Sequence, residues 1–157
     1  MSRAGPVVKT AEKMYEGLFM TESIRYLIEK YEEEGQITYS SISAEQIVEA
    51  ENVLGLKLPQ EYLQFLKEFG SGGIGDVDVY GVDKDGSLGF LNVTLNHREK
   101  GLPANLIVLE DLINQQQYCI DCDNGNVVIY RGGKVTAVYD SFDNYLFERY
   151  IESAVNE

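Results

Sequence analysis

Ser43–Gly73, SAEQIVEAENVLGLKLPQEYLQFLKEFGSGG, is the stretch whose reading decides the fold. Ser43 followed three residues later by Gln46 has the pattern of a capping box, which gives a first helix a defined start. Ile47, Ala50, Val53 and Leu54 recur at helical spacing and supply its apolar face. Gly55 is placed to close that helix, where a positive φ costs little without a Cβ. Pro59 suits the start of a second helix, where its missing N–H would be unpaired anyway. Tyr62, Phe65, Leu66 and Phe69 form the second buried stripe, and Gly70, Gly72, Gly73 and Gly75 let the chain leave sharply.

Upstream, Met1–Pro6 reads as a lead, and Ala11–Phe19 as a short helix of its own. Thr21–Glu34 reads as a capped amphipathic helix whose stripe is Ile24, Leu27, Ile28 and Tyr31. Downstream, alternation over Asp76–Val82 predicts a strand with Val77 and Val79 facing in, and Asp76, Asp78 and Tyr80 facing out. Asp83–Gly86 reads as a turn. Asn92–Lys100, which carries His97, reads as a strand end or a short helix. Leu106–Leu109 is a continuous apolar strand. The segments Gln117–Asp121, Asn126–Tyr130 and Lys134–Tyr139, separated by NG and GG turns, read as an antiparallel meander. Ser141 opens a last helix to about Ala154. Helices, then meander, then closing helix imply an α+β fold: an antiparallel sheet packed against N-terminal helices and a C-terminal helix. The expected organisation is an N-terminal extension over residues 1–19 and a single domain over 20–157.

The run E-x-x-L-G-x-x-L-P-x-x-Y-x-x-F-L-x-x-F-G-x-G-G, from Glu51 through Gly73, resembles the signature of the SUKH superfamily. Further matches are Ile107, Tyr118, Ile120, Asp121, Gly125, Val127, Val128, Ser141, Phe142, Tyr145 and Leu146, so the resemblance covers roughly residues 20–154. That superfamily contains bacterial immunity proteins and a fungal cell-wall assembly regulator. The resemblance implies a protein without catalytic activity that binds and neutralises a cognate polymorphic toxin, often a nuclease or deaminase, in the cytoplasm. An interaction scaffold or regulatory module is the alternative it leaves open.

Charge bears on the partner. Thirteen basic against 26 acidic residues give a net charge of −13, with acids in both halves of the chain. Direct binding to nucleic acid draws its affinity from Lys and Arg on phosphates, so this balance opposes it. It suits a basic protein partner, whose approach it would accelerate. No run has the length or apolarity to span a membrane. The oligomeric state is not legible.

No motif points to a cofactor or metal. Cys119 and Cys122 form a lone C-x-x-C on a strand and turn; a zinc site needs two further ligands, and His97 is the only histidine. His97 reads as an exposed loop residue, and Ser71–Gly75 lacks the Lys-Ser/Thr ending of a phosphate loop. A hydrolase using clustered carboxylates lacks a recognisable acid/base pair. What remains is a set of carboxylates with one tyrosine: Asp76, Asp78, Tyr80, Asp83, Asp85, Glu110, Asp111, Asp121, Asp123 and Asp140. The expectation is that they form an acidic recognition face with Tyr80 as anchor; the competing reading is that they are solvated turn residues.

Overall fold

A computed structural model describes residues 10–155, with side chains from residue 21 onward. These residues form five α-helices and one four-stranded antiparallel sheet, in the order α1 (Thr10–Tyr31), α2 (Ala44–Leu54), α3 (Gln60–Glu68), α4 (Gly89–Glu99), β1 (Leu106–Leu112), β2 (Gln116–Asp121), β3 (Val127–Arg131), β4 (Lys134–Tyr139) and α5 (Phe142–Val155). The strands lie in the sheet in chain order, the meander that the NG and GG turns predict.

The α2–α3 hairpin is built as its residues dictate. The Ser43 hydroxyl accepts from the Gln46 N–H at 3.1 Å, and the Gln46 side chain accepts from the Ser43 N–H, so two orphan donors are satisfied together. Gly55 ends the helix at φ 71°. The Glu51 carboxylate then reaches across the turn to the Leu58 N–H at 2.9 Å, which ties the two helices together. Pro59 is the cap, and α3 begins at Gln60. Val53, expected inside, is 49% exposed.

The exit from α3 shows why glycine is required there. At Gly72, φ is 112° and a Cβ would sit 1.9 Å from the Gln36 carbonyl oxygen; at Gly73 it would meet the Val77 carbonyl at the same distance. Two segments of backbone therefore pass closer than any side chain permits.

Two expectations change. The break at Met20–Thr21 does not exist: α1 runs without interruption through Thr21, which is an interior residue and not a cap. In sequence, Met14 and Leu18 continue in helical phase into Ile24 and Ile28, so nothing stops the helix. It ends at Tyr31, and Glu32–Glu34 follow it. The lead Met1–Pro6 lies outside the described residues. Asp76–Val82 is not a ladder strand either. It is extended backbone held by single bridges, Gly72 to Val79 and Val82 to Leu88. Its alternation persists nonetheless, with Val77 and Val79 buried.

The main core gathers α1, α3 and α5 against one face of the sheet. Tyr62, Phe65 and Phe142 meet edge-on or stacked at 5.2–6.2 Å. A smaller core of Leu102, Leu106, Val108, Cys119 and Val128 fills the other face, beside Val93 of α4. Cys119 of β2 lies in this second core, while Cys122, in the turn after the strand, packs against the first. Both are free thiols, and burial pushes each up to about 12.

Candidate partner-binding face

Strand β1 sets the geometry of the carboxylates. Its register with β2 slips between Val108 and Glu110: Val108 faces Cys119 and Glu110 faces Tyr118, so Leu109 is the extra residue of a bulge. The bulge puts Leu109 and Glu110 on the same side, towards α5, and turns Asp111 to the other side, towards α4. The Leu109 carbonyl accepts from the Tyr80 N–H at 2.9 Å, which pins the extended segment along the outer edge of β1.

Asp111 is the hub of the outer side. Its Oδ2 accepts from the Tyr80 hydroxyl at 2.8 Å, its Oδ1 lies 2.9 Å from His97 Nε2, and the Gln117 amide donates to Oδ1 at 3.3 Å. His97 is thus a half-buried residue on α4, 20% exposed and paired, in place of the expected exposed loop histidine. No sequence signal marked this pair, because the two residues are 14 apart and on different elements. The Tyr80 carbonyl accepts from buried Tyr62 at 2.7 Å, so the anchor is held at both ends. Burial first, then the Asp111 bond, raises the Tyr80 phenol far above its ordinary range.

Asp78 is an exposed residue, yet its carboxyl is raised, chiefly by partial burial and then by the charges of Glu110 and Asp83. It therefore belongs with Asp83. Asp83 opens a tight loop in which the Ser87 hydroxyl contacts both Asp83, at 3.2 Å, and Asp85, at 2.7 Å. The Ser87 hydroxyl and N–H hold Asp85 below its usual range. Asp76 is exposed beside a polar hollow that it shares with Glu33, Glu152 and Arg149.

Glu110 sits elsewhere. It is 4% exposed, accepts from Tyr145 at 2.6 Å, and takes two bonds from the Arg149 guanidinium at 2.9 and 3.0 Å. The Arg149 guanidinium also lies 5.1 Å over the Tyr118 ring, and the carboxylate partner holds it charged. Glu110 is committed inside the fold and is not displayed.

Asp123 and Asp140 are exposed and Asp121 is half-buried, all three at the opposite end of the sheet. Asp121 pairs with Leu106, at the start of β1, while Asp111 lies near its end; five strand residues span about 17 Å. Asp121 accepts from Asn105 and from the Asp123 N–H, and Asp140 from Asn144. The ten residues therefore resolve into Tyr80, Asp111 and Asp78 at the β1 edge, Asp83 and Asp85 in the following loop, Asp76 at its own hollow, a separate trio, and buried Glu110. Among the described residues, no group of three or more His, Cys, Asp or Glu is placed to hold a metal ion, and no helix is long and apolar enough to cross a membrane.

Residues 24–151 match the family model SUKH_5, described as SMI1-KNR4 cell-wall. The fold is similar to that in the crystal structure of a protein from Pseudomonas syringae pv. tomato, with a TM-score of 0.63 and 24% sequence identity, covering 82% of this chain and 98% of that one. No curated protein is significantly similar to the chain.

Proposed function

The chain belongs to the SUKH (SMI1-KNR4) family, and from that premise we propose that it is an immunity protein that binds a cognate, basic toxin domain and blocks it stoichiometrically, without catalysis, in the cytoplasm. The observation that carries this reading is Tyr80 at the β1 edge, bonded to Asp111 and lying in the field of Asp78, which in turn feels Asp83. A rigid aromatic ring within a negative field is the composition of an interface hot spot for cationic side chains. The net charge of −13 adds long-range attraction to a basic partner. A nuclease or deaminase toxin fits best, since a surface that engages nucleic acid is itself basic.

Membership of the SMI1-KNR4 cell-wall family supports a second reading, a regulatory interaction module that would use the same face. One experiment separates them. The chain is co-expressed with the toxin-like product of the adjacent gene. Restored growth and a one-to-one complex on gel filtration support immunity. Equal killing with and without the chain, with no complex, removes that reading, and co-purification of a host regulator supports the second.

A further inference from the structure

The two edges of the sheet differ. Along β1 runs the extended segment 76–82, whose Tyr80 N–H bonds the Leu109 carbonyl. At β4 the strand order ends, and Lys134–Val138 are all exposed, Val135 at 45% and Val138 at 41%. Among the described residues, no backbone bond outside the β3–β4 ladder reaches this strand. The register tells which of its groups are open. Gly132 and Gly133, at φ 54° and 87°, make a two-residue turn, so the closing pair Arg131 and Lys134 is hydrogen-bonded. Alternation then makes Ile129 and Thr136 the next bonded pair, and turns the N–H and C=O of Val135 and Ala137 outward. Val138 is the extra residue of a bulge, which ends the regular edge at Ala137. Charge is divided along the same edge. Residues 125–139 contain no acid and two cations, Arg131 and Lys134, in a chain of 26 acids and 13 bases. Neither cation forms an ion pair among the described residues. Asp140, also exposed, stands at the other end of the strand.

We propose that β4 is a dimer edge, which pairs antiparallel with β4 of a second copy of this chain about a twofold axis at Thr136. In that register Val135 lies opposite Ala137 of the second copy, and Ala137 opposite its Val135. The outward N–H and C=O groups of both strands then all find partners, where an open edge leaves them to water. Reversal of the strand also sets the Arg131–Lys134 turn of each copy beside Asp140 of the other, and the symmetry makes that charge contact twice. This is the reason for a second copy in preference to an unrelated strand: the edge has a basic end and an acidic end, and is complementary to itself when turned around. The assembly is closed. It joins two four-stranded sheets into one and consumes the open edge of each, while the segment 76–82 covers both outer edges. Tyr80 and Asp111 stay on those outer edges, so the pairing is independent of the partner-binding face. Pairing over Lys134–Ala137 buries less than the roughly 1,200–2,000 Å² of a stable interface, so the dissociation constant is on the order of 10–100 µM.

The test is sedimentation velocity of the full chain from about 5 µM to about 1 mM, in about 0.15 M salt so that repulsion between the acidic copies is screened beyond roughly 8 Å. The mass should rise from monomer towards dimer. Amide hydrogen exchange by NMR locates the contact. The Val135 and Ala137 amides should gain protection as concentration rises, while the Thr136 amide, bonded to β3, is protected throughout. Lys134→Asp and Asp140→Lys should each weaken self-association about tenfold. An equimolar mixture of the two variants should restore it, because each reversed charge then faces its opposite. Net repulsion alone predicts the contrary for Asp140→Lys, which makes each copy less negative. Ala137→Pro removes an outward N–H without touching the ladder to β3, and should abolish association. If that variant misfolds by circular dichroism, the charge variants and the amide exchange decide. A chain that stays monomeric throughout, a dimer that leaves the Val135 and Ala137 amides unprotected, or a mixture that does not recover would overturn the inference.

Discussion

Glu110 and Arg149 show how one residue's worth depends on its neighbour. A carboxylate that is 4% exposed is tolerable because a guanidinium and a phenol satisfy it together. Arg149→Ala leaves that charge buried and unpaired, and should cost about 3–5 kcal/mol in urea denaturation. Replacing both partners, Glu110→Leu with Arg149→Met, should cost far less, because the pair's attraction largely repays its own desolvation. Equal losses in the single and double variants would count against this account. Asp143 predicts the opposite direction. Its carboxyl is raised from 3.8 to about 7, so the folded chain binds a proton more tightly than the unfolded one. The stability this confers is complete below pH 4 and is lost as pH rises through 7. Asp143→Asn should therefore flatten the pH dependence between 4 and 7 and stabilise the chain above 7. After allowance for solvent screening, the gain is about 1–2 kcal/mol. A variant less stable than the parent at pH 8 would contradict this.

The elements were legible where local chemistry is punctual. Ser43 with Gln46, Gly55 and Pro59 each act within a few residues, and each does in the structure what its type predicts. The continuity of α1 is hidden in the sequence because Thr21 has a cap's chemistry, and caps and interiors share residue types. Asp76–Val82 resembles a ladder strand in sequence because alternation reports burial and not pairing: Val77 and Val79 are buried by tertiary contacts without a ladder. The glycines differ for the same reason. Gly72 and Gly86 both have positive φ, but only Gly72 is crowded. Gly86→Ala should cost about 1 kcal/mol, the backbone term alone. Gly72→Ala adds a clash with the Gln36 carbonyl and should cost about 3–5 kcal/mol. Thermal melts of the two variants read the difference, and similar melting points would show that the Gln36 segment yields.

At the scale of the molecule, the carboxylates could be named from sequence but not grouped. Asp111 meets Tyr80 and His97 only through the packing of three elements, and Asp121 is carried to the other end of the sheet by strand direction. The proposed function makes this grouping testable. Asp78→Lys with Asp83→Lys should slow association with a basic partner by about tenfold at low salt and flatten its salt dependence. The same reversal at Asp121 and Asp123 should change the rate much less. Stopped-flow measurements at two ionic strengths decide, and equal effects from the two pairs would show that total charge matters and the face does not. The bulge at Leu109 has a consequence for relatives of this chain. Strict alternation would send Glu110 outward and Asp111 inward; the one additional residue reverses that assignment. A homologue with a deletion there would keep both acids in its sequence yet exchange their duties, losing the internal counter-ion of Arg149 and the outward grip on Tyr80 in a single step. Alignments across this family should therefore be anchored on the arginine and the tyrosine, since the acids between them change meaning with the length of the strand.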